Sequence, residues 1–125
     1  VAVADYLLAR LPDDGIPYWD YDSVEIPDDF RDASAAAVMA SGLTELSAYV
    51  RGEKSFLYLS TAEKMLRTLA SDSYLASEGD LHGFLLKHSV GSKPGDSEVD
   101  VPLTYADYYF LEALLRYLGI SRMPR

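Results

Sequence analysis

Apolar side chains recur at helical spacing in four stretches of the chain. Positions three and four apart lie on the same face of an α-helix, so this repeat predicts amphipathic helices. The predicted helices cover Val1 to Leu11, Ala33 to Val50, Ser60 to Ser71 and Thr104 to Leu118. No stretch shows the alternation of a convincing strand, and we therefore predict an all-α fold of neighbouring helical hairpins.

Local signals mark the predicted helix ends. Asp32 is a good N-cap for the second helix, and Ser60-Thr61-Ala62-Glu63 has the pattern of a capping box that starts the third. The alternative is that Phe56 to Leu59 extend the third helix toward its N-terminus. Gly119 predicts the end of the fourth helix, and a polar tail follows from Ser121 to Arg125. No capping residue precedes the first helix, so we expect the sequence to begin inside a helix.

The fourth predicted helix is apolar around most of its circumference. Its apolar and aromatic positions are Tyr105, Tyr108, Tyr109, Phe110, Leu111, Leu114, Leu115 and Leu118. Such a helix needs neighbours on several sides. Because four short helices supply too little burial, we expect part of this surface to stay uncovered in a chain of this length.

Two segments lack helical periodicity. Residues Ile16 to Pro27 carry turn and proline signals together with the only tryptophan, which predicts a long extended loop. Residues Ser71 to Val101 are rich in Ser, Gly, Asp and Pro, and we interpret them as a long functional loop.

Composition narrows the classes of function. The chain has 125 residues, 49% of them apolar and 25% charged, which is typical of one globular domain. Its net charge of −9 repels phosphate backbones, so we expect no nucleic-acid partner. The absence of cysteine excludes disulfides and thiolate metal sites. No apolar run approaches the roughly 20 residues that cross a bilayer, and we expect no membrane partner.

Three segments together resemble glycoside hydrolase family 88, the unsaturated glucuronyl hydrolases. They are Pro17–Asp22, Arg31–Ala37 and Tyr105–Leu114, with Gly42–Leu46 and Leu85–Ser89 matching between them. The resemblance covers nearly the whole chain and corresponds to the C-terminal third of the family. Family 105, the unsaturated rhamnogalacturonyl hydrolases, ranks second, because that family usually has Ser-Gly-Ser in the segment that begins here at Asp32.

The resemblance implies a partial (α/α)6 barrel, with residues 1–125 as the C-terminal part of one domain whose N-terminal two thirds are absent. It also implies a reaction in which water adds to the C4=C5 double bond of an unsaturated uronic acid at the non-reducing end of a lyase product. The family's two catalytic aspartates lie outside this chain, so we expect no catalytic residue, no cofactor and no metal here.

The expected partners follow from the same resemblance. They are an unsaturated oligosaccharide and, for the uncovered apolar face, either the missing part of the barrel or a second copy of the chain. A helical binding module without chemistry is the alternative from another functional class. The compartment stays open, with the bacterial cytoplasm or periplasm suggested by the resemblance.

Trp19 and Asp20 are the first candidate substrate-binding residues. An indole stacks on a sugar ring while a neighbouring carboxylate accepts hydrogen bonds from sugar hydroxyls. The alternative is that Trp19 anchors the loop by packing, since a lone tryptophan is buried on average.

His88, Ser89, Ser92 and Lys93 are the other candidates. Family members that act on sulfated fragments carry a Ser-x-x-Ser-x-Lys pattern here; Ser89 and Ser92 match it, while Lys93 falls one residue early. Two hydroxyls and an ammonium can bind a sulfate or carboxylate, although the same residues are ordinary loop composition. His82 and His88 lack a third ligand at zinc spacing, so we predict no metal site.

Overall fold

The computed structural model describes residues 1–121, and it contains four α-helices, one short 3-10 helix and one β-hairpin within that range. The helices are α1 (Ala2–Leu8), α2 (Ala33–Ser47), α3 (Glu53–Leu69) and α4 (Thr104–Ser121), and the 3-10 turn is Leu81–Gly83. The strands are β1 (Ser89–Ser92) and β2 (Ser97–Val101). None of the described helices has both the length and the apolar character needed to cross a membrane.

The predicted helices are present, but several of their ends differ from the prediction. The helices α1 and α2 each end three residues early, at Leu8 and Ser47. The helix α3 begins at Glu53 after Gly52, whose φ of 65° allows a sharp entry, so the predicted capping box was wrong. Ser60 lies inside α3, where its hydroxyl donates to the Leu57 carbonyl at 3.1 Å. Gly119 is helical and α4 continues to Ser121, while the rest of the predicted polar tail, 122–125, lies outside the described residues.

The helix α2 is the centre of the core. Its small residues Ala36, Ala37 and Ala40 have no exposed surface, which allows neighbouring helices to approach closely. The helix α3 returns along α2 after a short link, and the Ser55 hydroxyl donates to the Ser47 carbonyl at 2.7 Å beside that link. These two helices form the predicted hairpin.

The helices α2 and α4 run parallel to each other. The Ser41 hydroxyl donates to Glu112 at 3.1 Å, and four residues further along both helices Arg116 pairs with Glu45 at 2.9 Å. Contacts that advance in the same direction on both helices require a parallel arrangement. Parallel α2 and α4, with α3 returning outside α2, are the arrangement expected of adjacent hairpins in a ring.

The first helix is attached by partly buried apolar side chains, Ala4 and Leu8, and by polar contacts. The helix α1 has no buried side chain. Its Asp5 carboxylate accepts hydrogen bonds from Tyr58 at 2.5 Å and from Lys54 at 2.6 Å, both on α3. The absence of a buried apolar side chain leaves a groove of about 520 Å³ between α1 and α2, lined almost entirely by apolar residues.

The segment 71–101 is not the plain loop that we predicted. Its second half forms an antiparallel hairpin in which Ser89 pairs with Val101 and Ser92 with Ser97, with an irregularity after Ser89. The strands were missed because they are only four and five residues long and β1 contains a single large apolar side chain, Val90. The all-α class holds with this one hairpin added.

Asp32 joins the hairpin to the N-terminus of α2. Its Oδ1 accepts hydrogen bonds from the Ser34 amide at 2.9 Å, the Ser34 hydroxyl at 2.6 Å and the Val90 amide at 3.2 Å. The Ala33 amide in turn donates to the His88 carbonyl at 3.0 Å. The predicted N-cap is therefore confirmed, and the same carboxylate also fixes strand β1.

Part of α4 is uncovered, as its sequence led us to expect. Tyr108, Leu111, Leu115 and Leu118 have exposed fractions of 62%, 49%, 72% and 44%. They are three or four residues apart and lie along one face of the helix. A contiguous apolar face of this kind is normally covered by another helix.

We predict that Asp32→Ala lowers the free energy of unfolding by about 1–3 kcal/mol, because the helix loses its cap and the buried Val90 amide loses its acceptor. Urea unfolding of the chain measures the change. Asp28→Ala is the matched control, since Asp28 is an exposed aspartate of the same loop. Equal effects of the two substitutions would contradict the proposed role of Asp32.

Candidate functional site

The tryptophan loop, residues 16–32, is closed at its base. The Trp19 amide donates to the Phe30 carbonyl at 3.1 Å, and the Asp32 amide donates to the Pro17 carbonyl at 2.9 Å. Tyr18 and Arg31 form an isolated β-bridge between the same two arms. The loop therefore starts and ends beside the N-terminus of α2, where the hairpin is also attached.

Asp29 organises the interior of this loop. Its side chain has no exposed surface, and it accepts hydrogen bonds from the Trp19 indole at 2.7 Å, the Phe30 amide at 2.7 Å and the Lys93 ammonium at 2.7 Å. The Ser23 hydroxyl is a fourth donor. We call Asp29 and these four partners the Asp29 cluster.

The donors of the Asp29 cluster determine its charge state. Burial raises the pKa of Asp29, but the hydrogen bonds from Lys93, Ser23, the Phe30 amide and Trp19 outweigh burial and hold that pKa well below its ordinary value. The carboxylate is therefore ionised at neutral pH. Such an ion is stable inside a protein only because its charge is matched and its oxygens are satisfied.

Lys93 connects the turn of the hairpin to the loop. Besides Asp29, its ammonium binds Glu25 at 2.6 Å, and it lies 5.3 Å from the Trp19 ring and 5.4 Å from the Phe30 ring. Hydrogen bonds to Asp29 and Glu25 raise the pKa of Lys93. Its charge is therefore compensated within the protein.

A shallow cleft of about 430 Å³ lies beside the Asp29 cluster. We call it the His88 cleft, and its lining residues are Asp14, Asp29, Phe30, Arg31, Ser73, Tyr74, His88 and Asp100. The His88 ring is 2.6 Å from the Asp100 carboxylate through Nδ1 and meets the Tyr74 ring edge-on at 5.9 Å. Aromatic faces next to hydrogen-bonding side chains suit a sugar ring.

Arg31 is fixed on the wall of the His88 cleft. Its Nη1 donates to the Asp14 carboxylate at 2.8 Å and to the Ile16 carbonyl at 2.6 Å, and its guanidinium lies 4.3 Å from the Tyr18 ring centre. Arg31 therefore braces the loop as well as bordering the cleft.

The structure brings together only some of the residues proposed from the sequence. Trp19 and Lys93 meet in the Asp29 cluster, and His88 lies in the adjoining cleft. Asp20 stays in the turn, where its Oδ1 accepts from the Asp22 amide at 3.0 Å. Ser92 is exposed at the end of β1.

Ser89 has an unusual environment. It is fully buried, and its hydroxyl has no hydrogen-bond partner among the described residues. Its hydroxyl and that of the exposed Ser92 therefore occupy different environments in this structure.

Sequence reasoning missed Asp29, Arg31 and Tyr74. Asp29 has the sequence context of a turn residue, and its partner Lys93, 64 positions away, becomes its neighbour only in the fold. The Asp107 carboxylate accepts hydrogen bonds from the Leu85 amide at 2.8 Å and the Leu86 amide at 2.9 Å, so it anchors the segment before the hairpin. Within residues 1–121, no three His, Cys, Asp or Glu side chains are grouped so as to hold a metal ion.

Comparison with known proteins gives consistent matches in sequence. No protein-family model matches the chain. An unsaturated glucuronyl hydrolase of Formosa agariphila is 48% identical over 107 residues, which are 86% of this chain and 26% of that protein. An unsaturated glucuronyl hydrolase of Bacillus sp. strain GL1 is 35% identical over 116 residues, covering 91% of this chain and 30% of that protein.

Solved structures match equally well. The crystal structure of an unsaturated glucuronyl hydrolase specific for heparin superposes with a TM-score of 0.93 and 47% identity, covering 97% of this chain and 33% of that chain. The structure of a mutant unsaturated glucuronyl hydrolase of Streptococcus agalactiae complexed with dGlcA-GalNAc6S superposes with a TM-score of 0.82 and 34% identity. The match covers 91% of this chain and 30% of that chain.

These matches confirm the resemblance to family 88 and the partial (α/α)6 barrel fold. None of the four proteins is named as a rhamnogalacturonyl hydrolase or as a binding module without chemistry, so neither alternative is favoured. The chain spans about a quarter to a third of the length of the relatives that it matches.

The lowered pKa of Asp29 predicts how the Asp29 cluster responds to acid. A carboxyl group whose pKa is depressed by folding stabilises the folded state above its ordinary pKa of about 3.9, and this stabilisation is lost as the pH falls through the lower folded value. We therefore expect the fluorescence of Trp19, the only tryptophan, to stay constant from neutral pH down to about pH 4 and to change below it.

A pH titration of tryptophan fluorescence on the chain measures this transition. Asp20→Asn is the control, because Asp20 lies in the same loop but outside the Asp29 cluster, and it should leave the transition in place. A transition at or above the ordinary carboxyl pKa would show that Asp29 is not held by its four donors.

Proposed function

We propose that this chain, a homologue of part of the unsaturated glucuronyl hydrolases, is one section of the barrel of an enzyme that acts on unsaturated uronic acids. The enzyme hydrates the C4=C5 double bond at the non-reducing end of oligosaccharides produced by polysaccharide lyases. The observation that carries this proposal is the agreement of sequence and fold with a glucuronyl hydrolase over 97% of the chain.

The proposed reaction requires a general acid. A carboxylic acid protonates C4, water adds at C5, and the resulting hemiketal opens and releases the rest of the saccharide. Such an acid must be partly protonated near neutral pH, which requires a raised pKa. Asp5, Asp29 and Glu63 each have a lowered pKa, the opposite of this requirement. These three carboxyl groups are therefore unsuited to the role, and we propose that the acid is supplied by another part of the parent protein, as the resemblance implies.

We further propose that residues 1–125 form the C-terminal part of the barrel and that the remainder of the parent covers the bare apolar surfaces. The groove between α1 and α2 and the face of α4 around Leu115 are the surfaces concerned. Covering apolar surface contributes about 25 cal/mol per Å² to stability, so these surfaces favour an apolar helical neighbour. Self-association of the isolated chain through the same surfaces is the alternative.

The His88 cleft is the part of this chain that we propose faces the substrate. The ring of His88 is exposed there and is held by Asp100, so it can contact a sugar hydroxyl without rearrangement. The Trp19 indole N–H is already bound to Asp29, which leaves only the ring of Trp19 for a sugar. The S. agalactiae neighbour is complexed with an unsaturated disaccharide, which supports an unsaturated oligosaccharide as the substrate class.

The proposed anion site is centred on Ser92. Its hydroxyl is exposed and can donate to a sulfate or carboxylate oxygen. Ser89, in its present conformation, has no access to a ligand, and Lys93 is bound by two carboxylates. We therefore assign the direct contact to Ser92.

We predict that the full-length parent removes the double bond of an unsaturated glucuronyl disaccharide and that the 125-residue chain alone does not. The isolated chain lacks the general acid, and its own carboxylates do not replace it. The loss of ultraviolet absorbance of the double bond measures both reactions against a buffer control. Turnover by the chain alone would contradict the proposed division of the barrel, and an inactive parent would contradict the proposed reaction.

We predict that Ser92→Ala in the parent lowers kcat/KM for a sulfated unsaturated disaccharide by about tenfold to a hundredfold and hardly changes kcat/KM for the unsulfated one. A hydrogen bond to a charged group contributes about 1.5–3 kcal/mol, which corresponds to this range. Ser97→Ala is the matched control, because Ser97 is the exposed serine paired with Ser92 across the hairpin. An unchanged ratio of the two kcat/KM values would contradict the assignment of Ser92 to the anion site.

A further inference from the structure

A lysine can bind an anionic substrate, but the ammonium of Lys93 is already paired within the protein. Its side chain is 25% exposed, and its ammonium contacts two carboxylates and lies near two aromatic rings. A substrate anion would have to compete with both carboxylates for the same ammonium. The contacts therefore indicate that Lys93 acts on another part of the protein.

The two carboxylates hold Lys93 to different degrees. Glu25 is 61% exposed, so water screens its attraction, and pairs of that kind contribute little. Asp29 has no exposed side-chain surface and is fixed by three other donors. Asp29 is therefore the partner that determines where the Lys93 ammonium lies.

Lys93 is also the first residue of the hairpin turn. The Asp96 amide donates to the Lys93 carbonyl at 3.0 Å, which closes the turn over Lys93 to Asp96. The Ser92 hydroxyl rests against this turn, because a Cβ atom added to Gly95 would lie 2.9 Å from it. The position of the Ser92 hydroxyl therefore follows the position of the turn.

We propose that Lys93 is a positioning residue for the anion site: by pairing with buried Asp29, it holds the hairpin turn against the tryptophan loop and so places the Ser92 hydroxyl. This inference rests on the proposed function, since it concerns the same substrate. Lys93 itself makes no contact with the substrate anion. Asp29 and Lys93 act as a unit, and removing either one displaces Ser92 in the same way.

Two roles for Lys93 predict opposite effects of Asp29→Asn in the parent. If Lys93 were the anion ligand, removing the competing charge of Asp29 would free its ammonium and raise kcat/KM for the sulfated disaccharide. If Lys93 positions Ser92, Asp29→Asn lowers that value. The sign of one substitution therefore separates ligand from positioning residue.

The experiment measures kcat/KM for sulfated and unsulfated unsaturated disaccharides in parent variants. We expect Lys93→Met and Asp29→Asn each to lower the ratio of sulfated to unsulfated values by about tenfold, and the double variant to be no worse than either. Lys93→Arg should restore most of the ratio, because arginine also pairs with a carboxylate. Glu25→Gln is the matched control and should change the ratio less than threefold or so.

Several outcomes would overturn the positioning role. They are a higher ratio in Asp29→Asn, additive losses in the double variant, or equal loss of activity on both substrates in Lys93→Met. A general loss of stability lowers both activities together and leaves the ratio unchanged, so it does not imitate the expected result.

Hydrogen exchange of the hairpin amides gives a readout that does not require activity. We expect the amides of Lys93, Gly95, Asp96 and Ser97 to exchange about tenfold faster or more in Lys93→Met and Asp29→Asn, and to keep the parental rate in Lys93→Arg. Unchanged exchange in Lys93→Met would overturn the proposal even in an active enzyme. An inactive parent with the expected exchange pattern would contradict the proposed reaction but not the role of Lys93.

Discussion

The Asp32 carboxylate is the interaction on which the arrangement of this chain rests. It caps α2, accepts from the Val90 amide of β1 and lies at the base of the tryptophan loop, whose closing hydrogen bond is donated by its own amide. A buried carboxylate oxygen with three donors has a single favourable arrangement of those donors. Asp32 therefore positions the central helix, the hairpin and the loop relative to one another. The His88 cleft is lined by residues of the loop and the hairpin together with Asp14, Ser73 and Tyr74.

The helical part of this arrangement was readable from the sequence, because a helix is stabilised by residues close to one another along the chain. Asp32 was predicted as a cap from its place before an alanine-rich stretch, and the uncovered face of α4 was predicted from its continuous apolar surface. The start of α3 was missed because Ser60 to Glu63 imitates a cap while Gly52, with its positive φ, provides the actual entry. The sequence contains two possible start signals for α3, and only the packing of the folded chain determines which one is used.

The hairpin and the Asp29 cluster could not be predicted from the sequence, because they depend on residues that are far apart along the chain. The strands pair over a short turn, but their attachment depends on Asp32, 58 residues from Val90. Asp29 resembles every other aspartate of the loop until Lys93, 64 residues away, is placed beside it. The resemblance to the glucuronyl hydrolases indicated which segments to consider for substrate binding, whereas the pairing that distinguishes one charged side chain from another became visible only in the folded structure.

The same difference bears on Lys93, which the sequence suggests as an anion ligand. In a sequence, a lysine next to serines and glycine has three donors and no competitor, so an anion is the natural partner. In the structure, the cost of burying the Asp29 carboxylate must be offset, and Lys93 is the only cation among its four donors. Releasing Lys93 to a substrate would leave the enclosed Asp29 carboxylate without its cation, which is unfavourable. A substrate anion would also have to displace both Asp29 and Glu25 from the same ammonium. The pair with Asp29 is therefore favoured for Lys93, which supports our proposal that the neighbouring Ser92 hydroxyl, and not Lys93, contacts the substrate anion.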